Sequence, residues 1–388
     1  MLGGHGVRIG VVSTYPPRRC GIASFSKGLV EGLVENGAEV KVVSVVRKDD
    51  IPTENPQDVE FLLRQEELED YRRAATFLND TVDVVILQHE YGIFGGQDGV
   101  MLLELLRHLK VPVITVLHTL LVEPTPSQRE ILLSLIKGSS RVVIISRSGF
   151  DILRNIYRVS LQKVVWIPHG VPARKKGDPL RWRRELQLDG RVSVLTFGLI
   201  GPGKGLETAL KALKMAIEEA PNLVYIIAGA THPEVFRREG ESYRNMLERM
   251  VEELGLENHV IWINRYLEEE ELLDLIEAVD IYLTPYPGYQ QISSGTLTFA
   301  AHLGKAIIST PYIYASELLK DGSGILVPFN DPISMAQALS RLAHCQDLRI
   351  SLRRSIARKT AGWSWTNLAR EYLRLAEKVS REGVKSWS

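Results

Sequence analysis

The sequence predicts an α/β protein of two doubly wound parallel-sheet domains that face each other across a cleft. Three observations predict it. Short Val- and Ile-rich runs lack the polar alternation of half-exposed strands, which suits strands covered on both faces. Amphipathic helical patterns separate these runs almost throughout. The alternation breaks once, in a Pro-, Gly- and Arg-rich stretch after His169, and then resumes. A chain of 388 residues also favours two domains over one.

In the first half the strand-like runs are "RIGVVST", "EVKVVSV", "VDVVILQ", "PVITVLH", "RVVIIS" and "KVVWIP". Between the first two lies "FSKGLVEGLVENG", a helical pattern that stops at Gly37 as a C-cap would. We assign residues 1–172 to an N-terminal domain and 173–190 to a linker with a short helix. A second series follows: "VSVLTFG", "NLVYIIAG", "HVIWIN", "VDIYLTP", "KAIISTP" and "GILVPF", within a C-terminal domain of residues 191–362. Leu206, Leu210, Leu213 and Ile217 form a core-facing stripe on the helix after its first strand. Residues 363–388 form a last helix, expected to pack back towards the N-terminal domain. It carries Leu368, Tyr372, Leu375 and Val379 on one face.

Bulk composition excludes several classes. The formal net charge is zero, against a general nucleic-acid binder. Apolar residues make up 45% and charged residues 24%, the profile of a globular protein. Cys20 and Cys345 are the two cysteines, so a disulfide framework is not expected. No run approaches the ~18 apolar residues needed to cross a bilayer. The expected location is cytoplasmic, with peripheral membrane contact through Arg174, Lys175, Lys176, Arg181, Arg183 and Arg184 weighed against a solvated connector.

Ligands of doubly wound sheets sit at the carboxyl ends of the strands, so the loops there hold the chemistry. "TFGLIGPGKGLETALKAL" joins a strand, a glycine-dense loop and a helix. Gly198 to Lys204 has the spacing G-x-x-x-x-G-K, but Gly205 stands where a P-loop needs Ser or Thr for magnesium. The G-x-G-x-G spacing and the lack of an acid after "NLVYIIAG" fit a dinucleotide fingerprint less well still. The preferred reading is a metal-free phosphate site in which Gly198, Gly203 and the helix N-terminus offer N–H groups and Lys204 the charge. A tight turn with a solvated lysine is the alternative. "STYPPRRCGIASF" places Gly21 before another helix, and Ser293, Ser294 and Gly295 begin a third. Three such helix starts, from both halves, point to a diphosphate compound. His89 and Glu90 in "LQHEYGIFGG" end a further strand, as polar candidates on the acceptor side.

Taken in order, "YPPRRCGIASF", "VLHT", "IPHGV", "FGLIGPGKGLE", "AVDIYLTPY", "SSGTLTFAAHLGKAIISTP" and "DGSGILVPFNDP" resemble glycosyltransferase family 4, which has the GT-B fold. The resemblance covers nearly the whole chain and is closest to a mannosyltransferase-like branch. It implies a retaining, metal-independent hexosyltransferase with no cofactor beyond a nucleotide-sugar donor, GDP-mannose favoured, and a carbohydrate or lipid-linked acceptor. A role in polysaccharide biosynthesis follows. Lys204 matches the lysine that neutralises the donor diphosphate, His118 the histidine that contacts the donor sugar, and Gly21 the N-terminal glycine loop. Ser293, Ser294, Gly295 and Thr296 match the helix start at the donor, and Glu317 a glutamate after the strand "AIISTP".

The chain departs from the family pattern at three places. Leu199 stands where an arginine commonly pairs with the lysine, which makes Arg265 the candidate second cation. Gln291 and Phe299 stand at the positions of two glutamates with seven residues between them. Phenylalanine cannot grip ribose hydroxyls, which leaves Glu317 as the candidate for that task. No side chain is placed as a nucleophile for double displacement, so front-face transfer is expected from the resemblance. A UDP- or ADP-glucose-dependent or phosphorolytic relative, and a catalytically silent sugar-binding scaffold, remain the alternatives.

Overall fold

Runs of Val and Ile with no polar face become strands covered on both sides. The computed structural model of the protein describes residues 6–48, 58–173 and 177–383. Its first unit comprises Met1–Ala173 with Gly362–Ser388, and its second Arg174–Ala361.

The first unit holds β1 (Arg8–Ser13), β2 (Glu39–Val46), β3 (Phe61–Arg64), β4 (Val84–His89), β5 (Val113–Leu117), β6 (Arg141–Ile144) and β7 (Val164–Trp166). They form one parallel sheet in the order β3-β2-β1-β4-β5-β6-β7. β3 is absent from the sequence-predicted runs. Four residues ending in a charge, at a sheet edge, carry too little apolar pattern to stand out. Every residue of β4 and β5 is buried. Ile9, Val11, Ile86 and Ile114 face one layer of helices, Val12, Val43, Val85 and Leu87 the other.

The second unit holds β8 (Val192–Phe197), β9 (Leu223–Ala228), β10 (Val260–Ile263), β11 (Ile281–Thr284), β12 (Ala306–Ser309) and β13 (Ile325–Leu326). Their parallel order is β10-β9-β8-β11-β12-β13. In each sheet the chain starts near the middle, runs to one edge and then returns to fill the other. The strand order therefore reverses between β1 and β4, and between β8 and β11. Loops that follow these four strands flank a switch point, where a crevice opens for ligand.

The linker stretch is less of a connector than its composition implies. Asp178 caps the helix Pro179–Glu185, and Trp182 is buried, its indole donating to the Glu271 carbonyl. Arg181 pairs with Glu185, Arg184 with Asp178, and Arg183 donates to the carbonyls of Ala278 and Leu188. These three arginines belong to the second unit's own packing. Arg174, Lys175 and Lys176 lie outside the described residues. No helix among the described residues is long and apolar enough to cross a membrane, and both cysteines are free thiols.

The C-terminal helix (Trp365–Glu382) joins the first unit. Leu368, Ala369, Tyr372, Ala376 and Val379 enter the core shared with Phe25, Leu29 and Leu33 of the first helix (Gly21–Glu35). The Val171 N–H donates to the Trp363 carbonyl and the Trp365 N–H to the Val171 carbonyl, which docks the returning segment beside Gly170. The Trp365 indole lies directly on Gly28, where an added Cβ would sit 2.1 Å from Nε1. The ring cannot withdraw, because Phe25 and His169 pack against it.

Gly28→Ala tests this contact. Alanine gains about 1 kcal/mol of helix propensity, but overpacking costs about 1–3 kcal/mol. We expect a net loss in the urea midpoint of the first unit, followed by tryptophan fluorescence. A variant as stable as the parent or more so would contradict the packing described.

Candidate functional site

In the second unit the site grows from the ends of β8 and β11. After Phe197 the chain passes Gly198, makes one 3-10 turn over Pro202–Lys204, and enters the helix Leu206–Glu219. Gly205 joins turn to helix at φ 67°, and a Cβ there would lie 2.1 Å from the Pro285 carbonyl oxygen. That backbone is open to glycine alone on two counts, handedness and contact. It also accounts for the imperfect P-loop pattern: no hydroxyl side chain fits where such a loop holds magnesium.

The turn carries Lys204 to the β11 loop. Its Nζ donates to the Tyr286 hydroxyl at 2.9 Å and lies 4.6 Å from the ring centroid. The Tyr286 and Thr296 hydroxyls are 3.0 Å apart, and Thr296 Oγ1 is 3.2 Å from Ser294 Oγ. Ser294 is the N-cap of the helix Gly295–His302 and accepts from the Leu297 N–H. A Cβ on Gly198 would lie 3.2 Å from Thr296 and 3.5 Å from Lys204 Nζ. Gly198, Lys204, Ser294, Gly295 and Thr296 are thus brought together as one patch with two helix N-termini. Burial would push the Tyr286 phenol up; the Lys204 ammonium outweighs this, with help from Thr296 and Ser294, and holds it below the usual tyrosine value.

The remaining residues singled out in this unit stand as follows. Gly203 is exposed in the turn, with open space where a side chain would be. Gln291 is exposed, its Nε2 donating to the Ser293 carbonyl and its own carbonyl accepting from Tyr314. Glu317 shares the helix Ile313–Leu319 with Tyr314 and adds to burial in raising the Tyr314 phenol. Arg265 forks onto Glu271 through its two terminal guanidinium nitrogens, so its charge is already matched. Arg244, unremarked in the sequence, is buried beside the β9 loop and bonds to Gly229, Thr231, Glu241 and Asn264. Among the described residues no carboxylate pairs with Lys204.

In the first unit, Gly21 is not part of a free loop but the first residue of its helix. Cys20 caps that helix, its Sγ accepting from the Ala23 N–H at 3.4 Å and lying 3.3 Å from the Thr14 hydroxyl. A side chain at Gly21 would meet nothing, so glycine leaves the helix start uncovered. Three imidazoles lie nearby in the sheet's carboxyl edge. His118 follows β5, packs edge-on to Phe25 at 4.6 Å and meets Gln88 Oε1 at 2.8 Å through Nε2. His89 ends β4 with Nδ1 buried and without a hydrogen-bond partner among the described residues. His169 shares its Nδ1 with the Gly170 carbonyl at 2.7 Å and stands 5.0 Å from Phe25. Glu90 accepts from the Thr119 hydroxyl at 2.5 Å and the Tyr91 N–H at 2.9 Å; burial raises its carboxyl despite both bonds.

Burial lowers His89 and His118 to about 3, the neighbouring His169 and His89 repelling charge on His118 as well; burial lowers His169 to about 4, against the pull of Gly170. All three are neutral in the fold and can donate or accept at sugar hydroxyls without carrying charge. In the unfolded chain they bind protons near pH 6.5. The unfolded state therefore holds more protons below pH 6.5, and the fold loses stability as pH falls from there towards 4. Each imidazole contributes about 2 kcal/mol of this loss by pH 5. His89→Leu removes one of the three, so its urea midpoint should fall less between pH 7 and 5 than the parent's. An identical pH dependence would contradict a buried neutral His89.

Comparisons with known proteins agree with this geometry. Residues 20–175 match Glycosyltransferase Family 4, and residues 180–360 match Glycosyl transferases group 1. A D-inositol 3-phosphate glycosyltransferase from Corynebacterium jeikeium is 28% identical over 52% of this chain and 48% of its own. The chain thus spans about half the length of that curated relative. A phosphatidyl-myo-inositol mannosyltransferase from Mycolicibacterium smegmatis is 23% identical over 71% of this chain and 67% of its own. The crystal structure of Anabaena HepE in complex with UDP and glucose superposes with a TM-score of 0.75 at 13% identity, covering 96% of this chain and 100% of HepE. Two parallel-sheet α/β domains, ordered as in GT-B enzymes and matched in both halves, place this chain among the family 4 glycosyltransferases.

Proposed function

We propose that this chain moves a hexose, mannose from GDP-mannose in the first place, to a carbohydrate or lipid-linked acceptor of the inositol type. The observation that carries the reading is Lys204, an ammonium with no carboxylate partner among the described residues, held against two helix N-termini at the second sheet's switch point. A pyrophosphate group needs cationic and N–H neutralisation together, and that patch supplies both. The names of the two relatives support an inositol-containing acceptor and a mannosyl donor.

In the proposed reaction the acceptor oxygen forms a bond to the anomeric carbon on the face from which the diphosphate leaves. The bond from that carbon to the phosphate oxygen breaks, and the acceptor's proton passes to the departing phosphate. Negative charge grows on the phosphate, where Lys204 is already in place to stabilise it without a divalent ion. The neutral imidazole of His118 is suited to holding the sugar's hydroxyls, since its charged form would attract the diphosphate instead.

The test is transfer itself. GDP-mannose, UDP-glucose and ADP-glucose are each incubated with pooled inositol phosphates, phosphoinositides and oligosaccharides, and products are read by mass spectrometry. One added hexose from GDP-mannose, undiminished by EDTA, is the expected result. Lys204→Ala should lower that turnover by about a hundredfold or more. Transfer from another donor would replace the mannosyl reading. No transfer from any donor would favour a silent scaffold, the alternative that Phe299 at a ribose-binding position keeps in view.

A further inference from the structure

We propose that Tyr286 is a positioning residue for Lys204, fixing the ammonium in one orientation before a diphosphate arrives. The inference rests on the donor-site reading above and names a residue that reading does not use. Tyr286 follows β11, while Lys204 follows β8, and these are the two strands that flank the switch point. The contact therefore ties the two loops between which a ligand of this sheet sits.

Three observations favour positioning over simple core packing. First, the phenol cannot move. Tyr286 is 3% exposed, stacks on Tyr312 with centroids 5.2 Å apart, and its carbonyl accepts from the Thr310 hydroxyl at 2.6 Å. Second, the polarity of the chain of hydroxyls is fixed at one end. An ammonium only donates, so the phenol oxygen accepts from Lys204, while its 3.0 Å contact with the Thr296 hydroxyl ties the same oxygen to the helix start at Ser294. One of the three ammonium hydrogens is thereby anchored, and the other two are left for a ligand. Third, the chain has reason to hold this lysine still. Leu199 replaces the arginine that commonly accompanies it, and Arg265 and Arg244 are engaged elsewhere. A single flexible cation loses much rotamer freedom on binding. Hydrogen-bonding its tip to a rigid phenol removes part of that cost beforehand, which is preorganisation.

Tyr286→Phe deletes the hydroxyl and keeps the ring stack, so the fold should be retained, with the melting midpoint lowered by no more than the few degrees that a hydrogen bond is worth. Inorganic pyrophosphate is the probe, titrated calorimetrically into the parent and the variant, with uridine and guanosine as phosphate-free controls. We expect pyrophosphate to bind the variant about tenfold more weakly, the scale of one hydrogen bond to a charged group, with no change for the nucleosides. KM for the sugar nucleotide should rise in the same proportion. Equal pyrophosphate affinity in the two proteins would overturn the proposal. So would a parent that does not bind pyrophosphate, or a variant that loses nucleoside affinity to the same degree. A parent that transfers no sugar, yet shows the tenfold gap with pyrophosphate, would end the functional reading and leave Tyr286's role standing.

Discussion

One contact organises the second unit: the Lys204 ammonium on the Tyr286 hydroxyl at 2.9 Å. Everything around it serves to bring a flexible side chain to one point. Gly205 turns left-handed against Pro285 so that the 3-10 turn before it delivers Lys204 to the β11 loop. The stack on Tyr312 keeps the phenol from following the lysine outward. Ser294 caps the second helix N-terminus by accepting from the Leu297 N–H, and its hydroxyl lies 3.2 Å from that of Thr296, so N–H groups and ammonium share one patch. Charge in such a patch acts through little intervening water, where an electrostatic contact is stronger than in bulk solvent. The same backbone leaves no place for a P-loop hydroxyl.

The first unit solves a different problem with different means. Its carboxyl edge gathers imidazoles, a glutamate and an uncovered helix start, and holds the imidazoles neutral by burying them. Phe25 is the common wall: His118, His169 and Trp365 all meet it edge-on. The C-terminal helix therefore reaches the chemistry of the unit through Trp365, although the two are far apart in sequence. A buried histidine Nδ1 without a partner among the described residues costs free energy, and the fold keeps that cost at the same sheet edge as the uncovered helix start.

Much of this was legible in the sequence, for physical reasons. Strands buried on both faces read as unbroken Val and Ile runs, so twelve of the thirteen strands among the described residues stand out and the short edge strand β3 does not. Lys204, Gly198 and the Ser294 cap announce themselves because phosphate-binding turns need particular residue types at close spacing. Tyr286 was also within reach, as the second residue past the end of β11, but a tyrosine after a proline reads as core. The engagement of Arg265 by Glu271, and of the linker arginines by their own unit, was not legible. Ion pairs between loops depend on side-chain direction, which spacing does not encode. Gly21 read as loop because Cys20 is an uncommon N-cap, weaker than Ser or Asp in announcing a helix start.

The central claim is that Lys204 meets the diphosphate of a sugar nucleotide at the switch point of the second sheet. The most direct measurement is a crystal structure of the protein with GDP-mannose or GDP. The account predicts phosphate oxygens within about 3 Å of Lys204 Nζ, with the phosphates against the starts of the helices Leu206–Glu219 and Gly295–His302. Nucleotide bound with its phosphates away from Lys204, the ammonium still facing only Tyr286, would contradict it.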